Sequence, residues 1–272
     1  MAFKSILAAL APTPEKQTGS VYAISMGQAM KAYVSACAYT VHPKGSDFPW
    51  FPEELLENHL ATVAKEAHSA IRQFNNIAET SKVEVGSEVL TASFDAAISA
   101  FGEKARTFDI TVITQSRPGL EHIGDLFTEA ALFYSGRPII IVPRNHSGEF
   151  NIDHVLIAWD GSQHAAAAIA HAMPILALAN KIEVLVIGDK DRVSRTRAPE
   201  LVTNLKRHGF DVDLVNRDDH DDANAIAREA AVWGASLIVM GGFGHSKFRE
   251  MVFGGVTEFM FKKTLLPIFM AH

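Results

Sequence analysis

A chain of 272 residues is longer than a typical small domain, so its length favours two domains over one. Its 48% hydrophobic and 21% charged content is that of an ordinary globular protein. A net charge of −6 with no lysine or arginine stripe argues against binding along a nucleic-acid backbone.

Ser5–Leu10 follows a single lysine and reads as a first buried strand; as a signal-peptide core it is short. No apolar run approaches the roughly 18 residues of a membrane helix. The single cysteine, Cys37, lies in the apolar run Val34–Ala38. It excludes a disulfide framework within the chain, reads as a buried, inert thiol and fits a reducing cytoplasm. Trp50, with Phe48 and Phe51 among prolines, marks a loop that packs apolar rings. Phe108–Ile113 and Arg137–Val142 read as further strands, and the polar, turn-rich stretch Pro143–Glu149 reads as a linker.

The second half gives a clearer pattern. His154–Ala158 is a short apolar run, read as a buried parallel strand, and Asp160-Gly161-Ser162 turns the chain after it. A helix is expected over Gln163–Ala179 despite Pro174, then a strand at Ile182–Ile187 and a helix over Arg197–His208 stopped by Gly209. A strand follows at Val212–Asn216. The acids of 218–222 suit the cap and first turn of a helix at Ala223–Trp233. The last elements are a strand at Leu237–Met240, a helix at Val256–Lys263 and a strand at Pro267–Met270. Strands alternating with helices predict a parallel α/β sheet with right-handed crossovers.

The first half repeats this plan faintly. Ser5–Leu10 matches His154–Trp159, Phe108–Ile113 matches 235–240, and Arg137–Val142 matches 266–270. Thr128-Glu129 and Thr257-Glu258 precede the last strand of each copy. The expectation is two tandem, doubly wound α/β domains, 1–147 and 148–272, packed as a pseudo-dimer.

The most telling stretch follows the strand at 237–240. Gly241-Gly-Phe-Gly244 is separated by nine residues from Gly254-Gly255-Val256-Thr257, which opens a helix. Glycines let a backbone approach a ligand closely, and free N–H groups at a helix start attract an anion. The bland alternative is a tight turn. Asp160 has two readings, a ligand contact or a cap for the helix after it. Met240 reads as core, as an adenine contact, or as both. His245 and Ser246, inside the loop, read equally as phosphate donors or solvated side chains, and Lys247 and Arg249 as surface charges, with reach to a β- or γ-phosphate as the alternative.

With Asp160-Gly-Ser162 at one end and Gly241-x2-Gly244-x9-Gly254 at the other, the second half resembles a universal stress protein domain, and the whole chain resembles the tandem members of that family. The resemblance implies an adenine nucleotide, usually ATP, with ADP or AMP as alternatives and Mg2+ as a companion ion. Asp160 would contact ribose or adenine, and Ala158 would offer backbone near the base. Gly241 and Gly244 would lie against ribose and phosphate, and Gly254 would donate its N–H to phosphate. Gly255 stands where the family usually has serine or threonine, so a hydroxyl donor is lost. Thr257 lies a turn deeper, next to Val256. The family also implies a homodimer.

In the first half Ala11 stands at the position of Asp160, Thr114 and Arg117 at Gly241 and Gly244, and Asp125 and Leu126 at Gly254 and Gly255. A carboxylate there repels phosphate, which predicts one site per chain, in the second domain. The twelve histidines show no zinc pattern, and no P-loop, Rossmann fingerprint or Gly-x-Ser-x-Gly elbow is present. His122-Ile-Gly124 is only a fragment of the class I tRNA synthetase motif. The functional expectation is a nucleotide-binding stress-response regulator without a dedicated general base, at most a slow ATP hydrolase. The competing expectation is a scaffold that has lost its nucleotide.

Overall fold

The structure, a computed structural model, describes residues 2–10, 17–42, 53–116, 121–242, 259–260 and 263–272. The chain divides into two compact units, Phe3–Phe150 and Asn151–His272.

In the first unit, β1 (Ser5–Leu10), β2 (Tyr33–His42), β3 (Val85–Ser93), β4 (Ile110–Thr114) and β5 (Ile139–Val142) are all parallel. They lie in the order β3-β2-β1-β4-β5. Helices α1 (Thr18–Met30), α2 (Glu53–Glu79), α3 (Phe94–Ala105) and α4 (Glu121–Glu129) make the crossovers, and α4 runs into a π-helical turn, Ala130–Tyr134. Parallel crossovers are right-handed, so α1 and α2 share one face and α3 and α4 the other. Strands buried on both faces carry continuous apolar runs, and Ile6, Leu7, Leu10, Phe74, Phe101 and Ile110 are fully buried between the layers. Cys37 is buried as expected, and burial pushes its thiol up to about 12.

The stretch after β5, read from sequence as a linker, is bound to α1 of the same unit. The Phe150 N–H donates to Ser25 Oγ at 3.1 Å. The rings of His146 and Phe150 contact buried Tyr22 edge-on, at 5.7 and 5.4 Å. Gly148 has φ +92°, and a Cβ there would stand 2.8 Å from Val21 Cβ, so a glycine lets this strap lie flat on the helix. Burial lowers the pKa of His146, whose Nδ1 accepts the Gly148 N–H at 3.0 Å.

The second unit has the same plan. Strands β6 (His154–Ala158), β7 (Lys181–Ile187), β8 (Val212–Arg217), β9 (Leu237–Gly241) and β10 (Ile268–Ala271) are parallel, in the order β8-β7-β6-β9-β10. Helices α5 (Gln163–Leu176) and α8 (Asp222–Trp233) fall where the sequence places them. Asp221 caps α8 by accepting the Asn224 N–H, and Gly234, at φ +75°, ends it. The single helix expected at 197–208 differs. A short α6 (Lys190–Arg195) precedes α7 (Ala198–Arg207), and Arg197 at φ +55° makes the break between them. Asp189 caps α6, so the strand-to-helix connection carries structure that its apolar pattern does not announce. The expected helix at 256–263 and the aromatic loop around Trp50 lie largely or wholly outside the described residues.

The strand order reverses between β1 and β4 in one unit and between β6 and β9 in the other. In open α/β sheets this reversal opens a crevice at the carboxyl ends of the two strands.

Candidate functional site

Three polar positions follow β6. The Trp159 N–H extends the pairing by donating to the Leu185 carbonyl at 2.9 Å, and its indole Nε1–H donates to the Thr196 carbonyl at 2.9 Å. Asp160 is exposed, and its Oδ1 accepts the Ser162 N–H at 2.9 Å. Ser162 is the true helix cap, its Oγ accepting the Ala165 N–H at 3.1 Å. The capping reading of Asp160 is therefore corrected. Asp160 makes the turn before the cap, because an Asx carboxylate reaches a backbone N–H two residues on. Its other oxygen has no hydrogen bond among the described residues.

Strand β9 arrives beside this turn. Met240 is buried and Gly241 pairs with Ala271. The Gly242 N–H donates to the Ala271 carbonyl at 2.8 Å. A Cβ on Gly241 would stand 2.6 Å from the Ala165 nitrogen and 2.7 Å from the His164 carbonyl carbon. Gly241 thus has a structural reason of its own, since the first turn of α5 presses on it. The His164 ring stacks on His272 with centroids 4.5 Å apart. Burial and His164 hold His272 below its ordinary value. The expected residues Ala158, Asp160, Met240 and Gly241 are brought to the ends of two adjoining strands. Gly244, His245, Ser246, Gly254, Gly255, Val256 and Thr257, with Lys247 and Arg249, lie outside the described residues.

Sequence reasoning missed the wall that α6 adds to this turn. Gly161, at φ +82°, has Thr196 against it, with Thr196 Cα 3.1 Å from where a Cβ would stand. Gly188, just past β7, has φ +121° and carries the Arg192 side chain across it. The signal was available in Gly188 followed by a cap acid, Asp189, and a basic run.

The first unit builds the same junction with exchanged roles. There the helix supplies the glycine, Gly19, and the strand end supplies Thr114. The Thr114 Oγ1 accepts the Gly19 N–H at 3.0 Å, and a Cβ on Gly19 would stand 2.6 Å from that oxygen. A hydroxyl therefore occupies the space beside the first turn of α1. Tyr39, one residue beyond the pairing of Ala38 with Leu10, stacks on Phe127 at 3.5 Å, and Phe101 meets Phe127 edge-on. Asp125 sits in the second turn of α4, and the pKa of Glu129 is raised by burial first and by Asp125 second. Ala11 and Arg117 lie outside the described residues.

A second polar cluster in the carboxy-terminal unit lies under α8. Arg217 at the end of β8 makes a two-pronged bond to Glu229, Nε to Oε2 at 2.6 Å and Nη2 to Oε1 at 2.7 Å. Buried Glu183 on β7 has an unpartnered Oε1, and its pKa is raised by burial first and by Glu229 second. Among the described residues no group of three or more His, Cys, Asp or Glu is arranged to hold a metal ion. Nor is any helix among them long and apolar enough to cross a membrane.

Comparison with known proteins finds relatives of the second unit. The model of the universal stress protein family matches residues 151–272. The second unit is thus similar to the universal stress protein family. The universal stress protein Slr1230 of Synechocystis sp. is 26% identical over 137 residues, which is 48% of this chain and 46% of that protein. The match thus spans about half the length of this relative. Among solved structures, a universal stress protein from Archaeoglobus fulgidus is similar in fold, with TM-score 0.75 and 14% identity, covering 99% of this chain and 97% of the other. A functionally unknown protein from Pseudomonas aeruginosa PAO1 follows, with TM-score 0.65, 14% identity and coverage of 99% and 92%. These likenesses support the mixed α/β, largely parallel fold of the universal stress proteins.

Proposed function

We propose that the universal stress protein domain at 151–272 binds one adenine nucleotide, ATP or its diphosphate or monophosphate, as part of a stress-response regulator, and that the unit at 3–150 binds none. The observation that carries this reading is the junction of β6 and β9. An exposed carboxylate with an unused oxygen, Asp160, stands at the strand-order reversal beside the glycines that begin the 241–255 run. The unused oxygen suits a ribose hydroxyl as donor, and glycine amides suit phosphate. In the first unit the Thr114 hydroxyl takes up the space beside the first turn of α1.

One observation favours a nucleotide-free scaffold. Gly241 is required by the approach of α5, so its presence alone does not call for a ligand. Thermal unfolding of the purified chain with millimolar ATP, ADP or AMP and magnesium separates the readings. At 100 times its dissociation constant a ligand stabilises the state it binds by about 2.7 kcal/mol. A shift of that order supports the site, and no shift with any of the three supports the scaffold.

A further inference from the structure

The side chain of Arg192 lies across Gly188, just past the carboxyl end of β7 beside the candidate site. Its backbone N–H belongs to the Asp189 cap, at 2.8 Å. The Asp189 carboxylate is bound by the Arg195 guanidinium, at 2.8 and 3.1 Å. Arg197 is paired with Glu200. Arg192 is partly exposed, and its charge helps the Arg195 hydrogen bond hold the Asp189 carboxyl low, yet among the described residues its side chain makes no hydrogen bond or ion pair. Its guanidinium donors are therefore not committed to a hydrogen bond within the described residues.

Its position is fixed by two glycines. In the parallel pairing of β6 with β7, Ala158 faces Leu185. Gly161 and Gly188 each lie three residues further on, past the carboxyl ends of the two strands. Helix α6 and the residue after it touch both. A Cβ on Gly188 would stand 2.7 Å from Arg192 Cδ and 3.5 Å from Nη1, so the bare glycine is the seat of this side chain. One helical turn later Thr196 lies on Gly161, held by its N–H and Oγ1 donating to the Arg192 carbonyl at 2.9 and 2.8 Å. The backbone that carries Arg192 is thereby fastened to the Asp160–Gly161 turn.

We propose that Arg192 is a specificity-determining residue of the site, covering the base end of the bound nucleotide by stacking its guanidinium on the purine face. This rests on the nucleotide reading above. The base end is favoured over the phosphates because Arg192 stands on the β7 side of β6, whereas the glycine run leaves β9 on the opposite side of β6. A planar guanidinium stacks on an aromatic face in a way that an ammonium does not reproduce.

The test is isothermal titration of the full chain and of Arg192→Ala and Arg192→Lys with ATP, ADP and AMP. Both substitutions are expected to weaken all three nucleotides by the same factor, about 3- to 10-fold for alanine, with lysine restoring little. The ligand-free unfolding temperature stays at the parent value, because the cap and the Thr196 bonds use backbone atoms of residue 192. A loss that grows with each added phosphate, or equal binding by parent and variants, overturns the assignment. A parent that binds none of the three fails the site reading itself, an outcome distinct from a binding parent with unaffected variants.

Discussion

Gly241→Val is expected to loosen the carboxy-terminal unit by about 2–4 kcal/mol. Overpacking a close-packed interior costs about 1–3 kcal/mol, and losing a helix cap costs about 1 more. Both apply at this position. The new Cβ would fall 2.6 Å from the Ala165 nitrogen and 2.7 Å from the His164 carbonyl carbon. These are backbone atoms of a helix, which cannot rotate aside as a side chain would, so α5 must lift from β9. The same Ala165 N–H is the one held by the Ser162 cap. Hydrogen exchange of the full chain reads the effect by region. Faster exchange is expected in 163–176 and 237–242, with 5–10 and 110–114 unchanged. Exchange in 163–176 at the parent rate would contradict the contact.

Arg217→Ala is expected to cost about 2–3 kcal/mol near neutral pH, and the cost should depend on pH. The Glu229 side chain is 10% exposed and both its oxygens are bound by Arg217. Removing one partner of such a pair leaves a buried charge without compensation. The magnitude stays below that of a fully buried pair because Arg217 is half-exposed and water meets part of the need. Glu183 lies close by, its pKa already raised from an ordinary value of 4.5 by burial and by Glu229. A raised carboxyl favours the fold fully below its unfolded value, and that contribution is lost as pH climbs through the native value. Without Arg217, Glu229 joins Glu183 in this behaviour. Denaturant titrations should therefore show a small difference from the parent near pH 4 and the full difference by pH 8. A difference independent of pH would contradict the coupling of the two carboxylates.

The fold was legible where burial is two-sided. His154–Ala158 and Ser5–Leu10 are continuous apolar runs, and such runs in alternation with helical patterns leave few topologies. Capping at 218–222 was legible for the same kind of local reason, since Asp221 acts on a backbone N–H three residues away. Less visible were features set by tertiary contact. The strap 143–150 has a linker's composition, yet Gly148 and Phe150 tie it to α1 through Val21 and Ser25. Helix α6 is short, with no buried residue and no apolar stripe, so no periodicity marks it. Gly241 was legible as a glycine whose Cβ is unwelcome, but the sequence gives no hint that a helix, Gln163–Leu176, supplies the obstacle. The exchange of Gly19 and Thr114 for Ala165 and Gly241 was equally hidden. A glycine on one side of an interface does the work of a glycine on the other, and an alignment of strands alone scores it as loss.

The proposed adenine-nucleotide site is single and carried by residues 151–272. Equilibrium binding of ATP to the full chain tests it most directly, with stoichiometry as the readout and Asp160→Ala as the companion variant. One ATP per chain is expected in the parent and weaker binding in the variant, with the fold retained. Two ATP per chain, none, or one that Asp160→Ala leaves untouched would contradict it.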